Sequence, residues 1–136
     1  MVVINITAVL AATIVQIVLG VLWYGPFFGK PWMKLAGLTP EKMKETKKRG
    51  MGKTYLMQFI ASFLTAFVMA YFVSLLEPYG ILEGVQLGFG VWLGFVVTTM
   101  LGPVLWLDKP VMLYAIDAGH YLVGLVTTGI ILTLWR

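Results

Sequence analysis

Four uninterrupted apolar runs, near residues 2–24, 55–76, 84–107 and 111–135, decide what this chain can become. Each is roughly 20 residues or longer, the length at which a helix rising about 1.5 Å per residue crosses about 30 Å of hydrocarbon. A membrane β-strand is about ten residues long and alternates in character, so continuously apolar runs predict helices. A soluble globule is excluded by composition: with 60% hydrophobic and 12% charged residues, the chain has too few polar side chains to wrap 136 residues in water. The expected fold is all-α, a single integral membrane domain (residues 1–136) of four transmembrane helices in the lipid bilayer. The first run has no basic residue before it and ends in Trp23-Tyr24-Gly25-Pro26, where a secretory signal would end in small residues. It is expected to be a retained helix.

Charge sets the expected orientation. Residues 25–54 hold Lys30, Lys34, Lys42, Lys44, Lys47, Lys48, Arg49 and Lys53 against Glu41 and Glu45, eight positive against two negative, a net charge of +6. Loops of this sign remain cytoplasmic, which places both termini outside a cell membrane crossed four times. The same segment attracts anionic lipid headgroups, by about 1 kcal/mol per basic residue near the surface. Inside it, Thr39-Pro40-Glu41 is a helix start, with Thr39 as cap and Pro40 in the first turn, so a short cytoplasmic helix is expected there. Gly52-Lys53-Thr54 is no phosphate loop, because the preceding glycine of that motif is absent and no strand leads into it. With no reading motif in the basic run, nucleic acid is not an expected partner.

Within the last run stand the chain's one histidine and its one acid inside an apolar stretch, His120 and Asp117. A lone charge at mid-span costs about 2.5 kcal/mol or more, so Asp117 must find a partner, a proton or a wet cavity. Three residues apart on a helix, the two are neighbours that can share a proton, and free imidazole titrates near pH 6.5, about the physiological range. At 100° per residue, Ala12, Gln16 and Trp23 fall within about 20° of Asn5 on the first helix. On the last, Tyr114, Asp117, His120, Tyr121, Gly124 and Thr128 fall within about 60° of Asp117. Two such stripes should face each other. Asp117, His120, Gln16, Asn5, Tyr121 and Thr128 are therefore the candidates for an ion or proton pathway. The alternative role for the pair is structural, bonding across to Gln16, Asn5 or a tyrosine hydroxyl.

Other chemistry is thin. There is no cysteine, so thiolate nucleophiles, disulfides and thiolate metal sites are ruled out. One histidine and one inward acid supply neither a di-metal helical site nor a nucleophile with a base and an orienting partner. No metal, cofactor or enzymatic activity is expected. Gly90, Gly94, Thr98 and Gly102 repeat at intervals of four on the third helix, with Gly84 and Gly88 as a second small pair and Ala61, Ser62, Thr65 and Ala66 in a similar role on the second, a spacing that lets helix backbones approach closely. This ridge is expected to pack either within the chain or against a second copy, and a homo-oligomer suits a bundle too small to enclose much volume.

Trp23, Tyr24, Phe27, Phe28 and Trp32 crowd the end of the first run. They are expected to form an aromatic belt at headgroup depth, with Pro26 and Pro31 ending the helix. The segment Val21-Leu22-Trp23-Tyr24-Gly25-Pro26-Phe27-Phe28-Gly29-Lys30-Pro31-Trp32-Met33 resembles the signature segment of the family called domain of unknown function 1761. The four runs and Ala118-Gly119-His120 are similar to that family's plan. The resemblance implies a four-helix fold and a membrane location, and brings no activity and no catalytic residue. Two functional classes follow: a small oligomeric transporter or channel for protons or ions, and an accessory protein that docks another membrane protein through its polar and glycine-rich faces.

Overall fold

Asn5 opens the first helix by accepting a hydrogen bond from the Ala8 amide at 3.2 Å, satisfying one of the orphan donors of a helix start. In the computed structural model, which describes residues 1–136, this helix α1 runs Ile6–Leu22 and then widens into a π turn, Trp23–Phe27, that contains Pro26. The helix therefore ends at Phe27, one residue beyond Pro26 and close to the stop the sequence suggested. The wider turn, closed by the Phe28 amide donating to the Trp23 carbonyl at 2.8 Å, takes the proline ring without the clash a regular turn would impose. Pro31 stops nothing. It lies in the first turn of α2, Gly29–Leu35, where a missing N–H has no intrahelical acceptor to lose. Gly29 makes the reversal possible, because a Cβ there would sit 2.6 Å from the Tyr24 carbonyl oxygen.

The basic segment then forms α3, Pro40–Lys48, capped by Thr39, whose hydroxyl accepts from the Lys42 amide at 3.2 Å. Next come α4, Gly52–Leu76, and α5, Gly80–Val91. The third long helix continues from α5 through a π turn at Trp92–Val97 and a 3-10 turn at Thr99–Leu101 into α6, Gly102–Trp106. The last helix, α7, runs Val111–Leu134 from Pro110. There is no strand. Four helices are long and apolar enough to cross a membrane: Ile6–Phe27, Gly52–Leu76, Gly80–Trp106 and Val111–Leu134, here called the first to fourth spans. The chain is a membrane-embedded, all-helical protein.

The fourth span is the hub, packing against the first, second and third, while the first also packs against the second. The second and third share no packed face. The α5–α7 crossing is the tightest, and glycines explain why: a Cβ on Gly84 would lie 2.9 Å from the Gly129 carbonyl oxygen, and one on Gly88 would overlap the Leu125 carbonyl. Side-chain-free positions let backbones approach where lipid removes the hydrophobic drive. A core of Ala8, Val9, Ala12, Ala66, Met69, Ala70, Val73, Leu125 and Leu132 fills the half of the bundle nearest the termini.

Of the two glycine sets on the third helix, the pair Gly84 and Gly88 packs within the chain and the longer ridge does not. A Cβ at Gly90, Gly94 or Gly102 would meet nothing within 4 Å, and Gly90, Gly94 and Thr98 are exposed. The physical reason is angular. Gly84 and Gly88 share one face of α5, and Gly90, two residues beyond Gly88, points some 200° around the helix, away from α7.

Candidate functional site

Where the first span bends at its π turn, the aromatic segment folds back beneath the bundle and against α7. The Tyr24 hydroxyl donates to Asp117 Oδ1 at 2.6 Å and the Trp32 indole N–H donates to the same oxygen at 3.0 Å. Trp23 donates its indole N–H to the Ile116 carbonyl at 3.0 Å, and from the opposite side Trp92 donates to the Ala118 carbonyl at 2.8 Å. One turn of α7 is thus held by four aromatic donors. The polar edges of Trp23, Tyr24 and Trp32 turn inward onto α7, and Phe27 and Phe28 take the outward positions. The bend supplies the reason, since it brings α2 under the fourth span.

Asp117 and His120 do not share a bond. Positions three apart diverge by about 60° around a helix, enough for Asp117 to face Tyr24 and Trp32 while His120 faces the interior. Both imidazole nitrogens are buried and have no hydrogen-bond partner. Three rings surround the imidazole, with centroids at 5.1 Å for Tyr24, 5.2 Å for Tyr121 and 6.2 Å for Trp23. Gly20 packs on it, at a distance where an added Cβ would lie 3.4 Å from His120 Nε2.

His120 lines a cleft of about 720 Å³ in the half of the bundle nearest the basic segment. All four spans contribute: Gln16, Gly20 and Tyr24 from the first; Tyr55, Gln58, Ala61, Ser62 and Thr65 from the second; Phe95, Val96, Thr99 and Met100 from the third; His120, Tyr121 and Gly124 from the fourth. No Asp, Glu, Lys or Arg is among its lining residues. Polar groups on the walls are partly paired, Gln16 Nε2 with Thr128 Oγ1 at 3.0 Å and Gln58 Nε2 with Ser62 Oγ at 3.2 Å.

Of the six residues singled out by the polar stripes, the structure gathers Gln16, His120 and Tyr121 in the cleft, with Thr128 buried behind Gln16. Asp117 stands outside the cleft lining, in its aromatic clamp. Asn5 is not with them, because its carboxamide caps α1 at the terminus end. Sequence reasoning missed Gln58 and Thr99 and gave Ser62 and Thr65 a packing role only, although Gln58 and Ser62 at an interval of four were a visible polar pair in the second run. A neutral imidazole offers one donor and one acceptor, so His120 can bond a guest or pass a proton. No three His, Cys, Asp or Glu side chains converge on a common point.

A family model described as a protein of unknown function, DUF1761, matches residues 7–133. No curated protein and no solved structure matches the chain.

Proposed function

The chain belongs to the DUF1761 family of proteins of unknown function, and from that premise we propose that it is a small multi-pass transporter in which His120 carries a proton at the floor of the cleft. The four spans form a transmembrane bundle in the cell membrane. Residues 25–54, with α3, lie on the cytoplasmic face, as their net charge of +6 favours, and both termini lie outside. The cleft then faces the cytoplasm, and the alanine-rich core closes the other half. A homo-oligomer extends the route that one chain leaves incomplete.

The observation that carries this reading is His120 itself: two buried, unpartnered nitrogens in the wall of an uncharged cleft. Buried polar atoms are almost always bonded, so these two nitrogens call for a partner that the chain itself does not supply. Asp117, held by Tyr24 and Trp32, fixes the turn of α7 that presents the imidazole. Purified protein in proteoliposomes is expected to show pH-dependent proton or ion flux that His120→Ala abolishes, with folding and assembly unchanged. Wild-type protein with no flux of protons, common cations or anions ends the transport reading.

A second reading has its own observation. The ridge of Gly90, Gly94, Thr98 and Gly102 meets nothing in its own chain, and the third span is the least buried of the four. Such a ridge suits close helix docking, so the protein would act as an accessory or assembly factor for another membrane protein. Gly94→Leu that dissociates a co-purifying membrane protein while leaving the isolated chain folded favours this reading.

A further inference from the structure

We propose that the cleft takes up a long-chain carboxylic acid from the cytoplasmic leaflet, entering sideways between the second and third spans with its carboxyl group on His120. This rests on the cleft's being the working site, as above, and names its guest.

Size argues first. A cleft of about 720 Å³ falls within the range of about 300–1,000 Å³ that suits one small organic molecule, and far exceeds what a proton or a bare ion requires. The opening argues next. The second and third spans share no packed face, and the third-span wall there is apolar, with Phe95 70% exposed beside Val96 and Met100. In a bilayer this gap looks onto acyl chains, so a guest entering through it needs an apolar tail.

The polar end of the guest follows from charge. With no Lys, Arg, Asp or Glu lining the cleft, a permanently charged head would stand uncompensated. A carboxylic acid avoids this by bringing its own proton, which either stays on the carboxyl oxygen or passes to an imidazole nitrogen. Both arrangements leave the pair with zero net charge. The titratable side chains whose rings pack on the imidazole are Tyr24 and Tyr121, with Asp117 one turn back and already holding two donors. At the rim, Tyr55 follows Lys53 by two residues, and the basic segment beyond it draws acidic heads to this leaflet.

The test uses the whole chain in nanodiscs of zwitterionic phospholipid, labelled with a photoactivatable long-chain fatty acid and mapped by peptide mass spectrometry. Crosslinks are expected on the cleft faces of the second and third spans, competed by unlabelled fatty acid and not by its methyl ester. Ala61→Phe, which adds bulk at an exposed lining position, is expected to abolish labelling, and His120→Ala to raise the competing concentration about tenfold. Labelling spread over the outward helix faces and insensitive to Ala61→Phe overturns the proposal, as does competition by butyrate as strong as that by the long acid, which would mark a ligand taken from water. Proton flux without added fatty acid and without cleft labelling removes this inference and leaves the transport reading standing. Cleft labelling without flux does the reverse.

Discussion

The two halves of the bundle are built on opposite rules. Toward the termini, small residues and glycines bring the helices into backbone contact: Ala8, Ala12, Ala66 and Ala70 are almost fully buried, and Gly84, Gly88 and Gly129 let α5 and α7 touch. Toward the basic segment, the same four spans part. Aromatic side chains span the wider distances there by hydrogen bonding to α7, and the space between becomes a cleft with polar walls. The contrast teaches that this chain places tight apolar packing and open polar volume at different depths along the same helices.

The contrast can be broken most severely at the crossing of α5 and α7. Gly88→Leu forces a side chain into the Leu125 carbonyl and is expected to destabilise by about 3 kcal/mol or more, read by thermal unfolding in detergent, whereas Gly94→Leu on the open ridge should be near neutral in the isolated chain. Tyr24→Phe removes one of two donors from Asp117 and should cost about 1–2 kcal/mol by the same assay. An unchanged melting temperature would show that the carboxylate does not depend on the clamp. The seam between the halves is weaker: Gln16→Leu, which breaks the bond to Thr128, should cost only about 0.6 kcal/mol. The smallest effect on stability sharpens the comparison by access. Because the chain has no cysteine, single-cysteine variants label cleanly, and Thr65→Cys in the cleft should react with a water-soluble maleimide while Met69→Cys, one turn deeper and 2% exposed, should not. Equal reaction at both would mean the halves do not differ in access.

Much of the architecture was legible because lipid imposes simple rules. The four spans, the cap at Thr39 and the placing of Pro40 in a first turn could each be read from local chemistry. The site was legible in part. Helical periodicity put Gln16 and His120 on facing stripes, and both line the cleft, yet it also put Asp117 with them, and a difference of about 60° in direction separates their surroundings. What remained hidden depends on nonlocal geometry. Nothing in Pro26 announces a π turn, and only that turn swings Trp32 beneath α7 to reach Asp117. Likewise, spacing alone cannot choose between Gly84-Gly88 and Gly90-Gly94, since both are intervals of four and only the placement of α7 distinguishes them.

The third span carries its irregular backbone, the π turn at Trp92–Val97, the 3-10 turn at Thr99–Leu101 and Pro103, entirely below the point where Gly88 touches α7. Helices bend where their hydrogen-bond ladder is interrupted, so this rod is clamped at one end and jointed just past the clamp. Two bonds nevertheless tie its lower arm to the fourth span, Trp92 to the Ala118 carbonyl at 2.8 Å and Tyr114 to the Val97 carbonyl at 2.7 Å, so the gap beside the second span is only as wide as those two latches hold it.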